Sequence, residues 1–309
     1  MQLGDLGSAV SEFSHLLSQS ITLPFGRRRH PANGRERRVA PTVGVSRTMA
    51  VQVRGTLLVA EGPVDDAVIV ELMHRAGGRH AKAVVLPVTR HDLPGVGERY
   101  RRYLARFGMD LPETVPLTTR EQAASPVHAA KVGGADLIVI GGGNPGDLLD
   151  ILAQTAVGAA LQAAFVRGAV VTLLGPVIEA AGEWALGVAP EDPGAGPLRK
   201  GLGLVPGTLI CSGARCGGRL AQVCGATMAA GVQGLVLDAR AALLLHGTWQ
   251  GEVLTGTVLA LGNRGSSEER EPGEVAARVV PAGWRLDLAA GLLLPPGPPT
   301  SPSMPDRQR

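Results

Sequence analysis

Four short apolar runs, at residues 55–60, 82–87, 137–140 and 169–174, recur along this chain with helix-patterned stretches between them. Each run is strand-length. Parallel neighbours need a crossover of a dozen or more residues, which the stretches at 65–77, 97–107 and 147–167 can supply as helices. The pattern predicts an α/β fold: a mostly parallel sheet flanked by helices. With only four Phe, three Trp and two Tyr, core volume must come from Leu, Val, Ile and Ala, as in a sheet buried on both faces. From about residue 203 the runs become shorter and Gly-punctuated, predicting a mixed or antiparallel C-terminal extension. Right-handed crossovers place the loops that follow the strands on one edge, where such sheets carry their sites.

The ends read differently from the middle. Residues 1–48 carry seven Arg against Asp5, Glu12 and Glu36; a weakly amphipathic stretch from Leu3 to Ile21 runs into a basic segment with no periodicity, predicting a disordered basic extension with Met49 as the natural start. Their basic residues follow rather than precede the apolar stretch, the wrong order for an export signal. Residues 289–309, rich in Pro and Ser, read as a disordered tail. The formal charge of +3 therefore belongs to the extension, and the remaining 23 bases and 24 acids exclude a basic nucleic-acid binder. Cys211, Cys216 and Cys224 are too few and too irregularly spaced for a disulfide framework or a zinc site. No apolar run reaches the 18 or so residues of a membrane helix. We expect a cytoplasmic protein with one domain over 49–288, no metal and no cofactor.

The order of motifs resembles the serine peptidases that include cyanophycinase and dipeptidase E. Gly55 to Val59 is similar to their first strand, and Leu137 to Asn144, Leu-Ile-Val-Ile-Gly-Gly-Gly-Asn, to the strand and glycine turn before their active site. The run from Gly168 resembles the strand leading to their nucleophile, and Gly201 to Gly207 followed by Gly218-Arg219-Leu220 resembles a block of cyanophycinases in particular. The resemblance implies a class I glutamine amidotransferase-like (flavodoxin-like) three-layer sandwich and a homodimer. It also implies a Ser at a tight strand-to-helix turn, a His and a Glu. In this chain those positions fall on Gly175, Gly213 and Ala239, and Pro176 removes a backbone N–H that would help bind an oxyanion.

Three readings of function follow. The first is a non-catalytic homologue that binds a peptide or small acidic ligand, with Gly142, Gly143, Asn144 and Arg219 as candidate ligand groups. The second is a peptidase or amide hydrolase with relocated chemistry, for which Cys211 and Ser212 are the least remote nucleophiles and Thr172 a poorer one. The third is an oligomer-forming subunit. Gly142-Gly143-Asn144 lacks the Lys-Ser/Thr of a phosphate loop, so no nucleotide is expected. Glu179 and Glu183, four apart, read as one solvated helix face. The histidines at 74, 80, 91 and 128 read as surface residues, and His246 as a strand end.

Overall fold

The computed structural model describes residues 54–88, 95–110, 112–187, 198–213, 220–246, 250–262, 275–288 and 292–296. Residues 1–48, the candidate Arg219, and Cys216 and His91 lie outside the described residues. The four apolar runs are strands β1 (Thr56–Ala60), β2 (Ala83–Pro87), β4 (Leu137–Gly141) and β5 (Val170–Leu174). With the two-residue β3 (Glu113–Thr114) they form a parallel set in the order β1-β5-β4-β2-β3. Helices α1 (Asp66–Arg75) and α2 (Val96–Arg106) carry the chain outward from β1 and β2. Helices α3 (Arg120–Ala123), α4 (Pro126–Gly133), α5 (Pro145–Leu152) and α6 (Ala156–Arg167) bring it back.

Strand alternation divides the core between those two helix groups. Leu58, Ala60, Val85, Leu137 and Val139 face Ile69, Leu72 and Met73 of α1 and Leu104 of α2. Leu57, Val59, Leu86, Ile138, Ile140, Val171 and Leu173 face α5 and α6 through Leu148, Leu149, Leu161 and Phe165. All these strand residues are less than 6% exposed, as an apolar run buried on both sides requires.

The predicted single helix over 147–167 is two helices bent by 99°. Gln154 takes a left-handed φ of 57°, and the Thr155 hydroxyl caps α6 by accepting from Gly158 N at 3.3 Å while donating to Leu152 O at 2.8 Å. Apolar spacing runs unbroken across the bend, which is why periodicity misses it. Gly158 permits the close approach, because a Cβ there would lie 2.2 Å from Leu152 O.

The C-terminal part is more than an extension of the parallel set. Strand β10 (Ala242–His246) pairs antiparallel with β1 on the side away from β5 and is followed by β11 (Gln250–Thr255), β14 (Arg285–Asp287) and β15 (Leu292–Leu294), completing a mixed nine-stranded sheet. The expected disorder from residue 289 is therefore corrected at Leu292–Leu294, an apolar run that finds a partner in β14. The other strands form a second, mixed, six-stranded sheet, β13-β12-β9-β8-β6-β7. These are β6 (Gly182–Leu186), β7 (Leu198–Lys200), β8 (Val205–Ser212), β9 (Gln233–Leu237), β12 (Thr257–Gly262) and β13 (Ala276–Pro281). Ile210, Leu235, Leu237 and Val258 join the main core, while Leu209, Val236 and Leu259 pack under α7 (Leu220–Ala230) through Val223 and Cys224. Among the described residues no single helix is long and apolar enough to cross a membrane.

Candidate functional site

The parallel strands end together, with Ala60, Leu174, Gly141 and Pro87 aligned in register. The chain leaves β1 and β2 toward the face of α1 and α2, and leaves β4 and β5 toward the opposite face. Divergent exits open a crevice above the carboxyl ends of such strands.

Gly175 stands at this edge. It follows the last residue of β5 and begins a 3₁₀ turn, Gly175–Ala180, with φ at 78°, and a Cβ on it would meet nothing within 4 Å. Left-handed backbone there suits glycine and strains any other residue. Pro176 follows at the start of the turn and offers no N–H. On the neighbouring strand, Gly142 and Gly143 have φ of 81° and 72°, and the Asn144 side chain caps α5 by accepting from Asp147 N at 2.9 Å.

Ala239 and Gly213 reach the same region through contacts. Ala239 lies against the exit of β1, since a Cβ on Gly62 would be 2.6 Å from Ala239 O. Gly213 follows β8, and a Cβ on it would lie 2.5 Å from Leu237 O and 3.0 Å from Asp238 Cα, both backbone atoms. No side chain fits at 213 unless β8 and β9 move apart.

Cys211 and Ser212 are 1% and 0% exposed at the end of β8. Thr172, 4% exposed, is inside β5. Beside Cys211 and Ser212 lies a group that sequence reasoning misplaced. Glu179 is buried in the 3₁₀ turn, and its Oε1 accepts from Ser212 N at 3.3 Å and from Cys211 Sγ at 3.8 Å. Glu183 is in β6 instead, where it accepts from Lys200 Nζ at 2.9 Å and Gly207 N at 2.9 Å, and these bonds hold its carboxyl below the usual range. The expected shared helix face does not exist, because the turn ends at Ala180 and a strand follows.

Tyr100 is the second residue that sequence reading passed over. Val96, Tyr100 and Leu104 form one stripe of α2 facing the sheet, a spacing visible in the sequence but masked there by the surrounding arginines. A Cβ on Gly141 would lie 2.6 Å from the Tyr100 hydroxyl oxygen, so the phenol occupies the space above the end of β4. Burial pushes its pKa up, against a downward pull from Arg99.

The charges of α2 are distributed unevenly. Glu98 accepts from Arg101 at 2.6 and 2.7 Å and from Arg102 at 2.8 Å, and these two guanidiniums hold its carboxyl down to about 2. A depressed carboxyl stabilises the fold fully above its ordinary 4.5, and that contribution is lost as pH falls toward 2. A carbon-13 titration of Glu98 should give a midpoint near 2, and Arg101→Gln should move it back toward 4.5. A midpoint already near 4.5 in the unmodified protein would refute the fork.

Among the described residues no group of His, Cys, Asp and Glu could hold a metal ion. His80 bonds Asp110 at 2.8 Å and His128 bonds Gln122 O at 3.0 Å, while His246 ends β10 with its pKa lowered by burial.

Residues 59–174, from β1 to the last residue of β5, match the model of peptidase family S51. Among solved structures, a peptidase from an acI-B1 Actinobacterium is similar over 77% of this chain and 98% of its own, with a TM-score of 0.57 at 14% identity. A Listeria monocytogenes EGD-e protein named for peptidase E aligns over 65% of this chain and 97% of its own, with a TM-score of 0.46 at 13% identity. No curated protein matches the sequence. The first likeness shows the shared fold, and within it the segment from β1 to β5 is similar to peptidase family S51.

Proposed function

We propose that this relative of the S51 peptidases is not a catalyst and uses the crevice above β1, β5 and β4 to bind a peptide or small acidic ligand. The observation that carries the reading is Gly175: the strand-to-turn bend is present, its left-handed φ is present, and the side chain that would attack a substrate is absent. Nucleophilic hydrolysis needs a hydroxyl or thiol and a base within hydrogen-bond reach of it. Gly213 and Ala239 supply no base, and the packing of Leu237 O against Gly213 leaves no room for one. Gly142, Gly143 and Asn144 remain as polar backbone and side-chain groups at the crevice edge.

A displaced nucleophile at Cys211 or Ser212 would have Glu179 beside it, which favours a second reading as a hydrolase. Their burial opposes it, because substrate reaches neither unless β8 opens. The test is hydrolysis of a β-aspartyl-arginine polymer and of aspartyl dipeptides by the purified full chain. No turnover above buffer is expected, and no labelling by serine- or cysteine-directed covalent probes. Turnover abolished by Cys211→Ala or Ser212→Ala would overturn the binding reading.

A further inference from the structure

Helix α6 is apolar on every side. Its sequence, Ala-Val-Gly-Ala-Ala-Leu-Gln-Ala-Ala-Phe-Val-Arg, holds two polar residues, and both bond inward: Gln162 Nε2 donates to Leu202 O at 2.6 Å, and the Arg167 guanidinium donates to Gly133 O and, at 2.7 Å, to Ala135 O. One side packs on the sheet through Val157, Leu161, Ala164 and Phe165. The other presents Ala156, Ala159, Ala163 and Val166, all exposed, the last at 36%. Beside it, α4 approaches closely, Ala160 Cβ lying 3.6 Å from where a Cβ on Gly133 would be, and adds Val127, 62% exposed. A surface helix ordinarily turns charged residues outward, and one apolar all round is ordinarily covered.

The chain itself supplies a cover. Arg54 N donates to Val166 O at 3.4 Å, and Arg54 Cβ is 3.7 Å from where a Cβ on Gly168 would be, so the segment before Arg54 enters at the end of this face. Far upstream, Leu3, Leu6, Val10, Phe13 and Leu17 recur at intervals of three and four, the spacing of one helix stripe, with Asp5, Ser8, Glu12 and His15 between them. That stretch also contains Gly4, Gly7 and five serines, too weak a composition to hold a helix without a surface to pack on. Residues 22–53 can bridge far more than the roughly 18 Å length of the twelve-residue α6. Tethering at that reach gives an effective concentration on the order of millimolar, which a separate partner lacks.

We propose that residues 3–21 dock through their apolar stripe onto the exposed face of α6 and α4, an intramolecular contact in which Leu6, Val10, Phe13 and Leu17 cover Val127, Ala163 and Val166. Asp5, Glu12 and His15 then face water and supply the polar exterior that α6 does not have. The contact is independent of what the crevice binds.

Amide hydrogen exchange of the full chain, read by mass spectrometry, tests this. Peptides from residues 3–21 should exchange at least about tenfold more slowly than an unstructured chain of the same sequence. Val127→Glu combined with Ala163→Glu should remove that protection. Both positions are exposed, so the slow amides of Ile138–Ile140 and Val171–Leu173 should stay slow and show the fold intact. Phe13→Asp should act likewise from the other side of the contact. Val70→Glu, at an exposed valine of α1 on the opposite side of the sheet, should change nothing. Exchange of residues 3–21 at the unstructured rate in the unmodified protein, or protection that survives the double substitution, would overturn the proposal. So would protection that falls on dilution together with a dimer in light scattering, which assigns the face to a second copy of the chain.

Discussion

Gly213→Ala should destabilise the protein by about 3 kcal/mol, and Gly213→His by more, so that a histidine placed here damages the fold. Overpacking ordinarily costs about 1–3 kcal/mol because a flexible neighbour can yield. Here the neighbour is Leu237 O at 2.5 Å, a backbone atom of a strand already paired with β8. Relief requires parting Ser212 from Leu237, and with it one end of the second sheet. Gly225 in α7 is the control, since a Cβ there meets nothing within 4 Å. Gly225→Ala should stabilise by roughly 0.5–1 kcal/mol through the better helix propensity of alanine. Urea denaturation of the two variants measures the contrast; equal and small changes would mean that the end of β8 is looser than its packing indicates.

Glu179→Leu should cost about as much, roughly 3 kcal/mol or some 10 °C in melting temperature. The carboxyl is 1% exposed and spans from the 3₁₀ turn to the end of β8, accepting from Ser212 N. Leucine removes that acceptor and leaves the Ser212 amide buried beside its own hydroxyl oxygen, which has no partner among the described residues. An abandoned buried donor is penalised by its full desolvation. Glu179→Gln keeps an amide oxygen in the same place and should lose only about 1 kcal/mol. Similar losses for Gln and Leu in thermal melts would show that the negative charge, and not the acceptor, carries the contribution.

The parallel half of the fold was legible because its strands are buried on both faces and so read as unbroken apolar runs. Thr56–Ala60, Ala83–Pro87, Leu137–Gly141 and Val170–Leu174 each fall within a residue of the expected ends. The second sheet was not legible as a sheet. Strands such as Gln233–Leu237 and Thr257–Gly262 are short and Gly-bearing, and their order depends on partners distant in sequence. Glu179 failed for a related reason: its spacing to Glu183 fits a helix, and only the arrival of β8 turns a solvated carboxyl into a buried one. Tyr100 was hidden by composition, a single aromatic in an arginine-rich helix. Gly175, reached by counting from Gly168 along one apolar run, is the first residue of the turn after that strand.

Strand β1 has β5 on one side and β10 on the other, so its two hydrogen-bonding edges are satisfied by segments more than a hundred and by nearly two hundred residues further along the chain. During synthesis on the ribosome, the first of the described strands is among the last to be completed. Until Ala242–His246 emerges, β1 keeps one long apolar edge open, a template for pairing with another chain. A product that stops after Leu174, though it contains the whole family-matched segment, would retain that open edge permanently and is a candidate for aggregation or chaperone capture rather than a minimal folding unit.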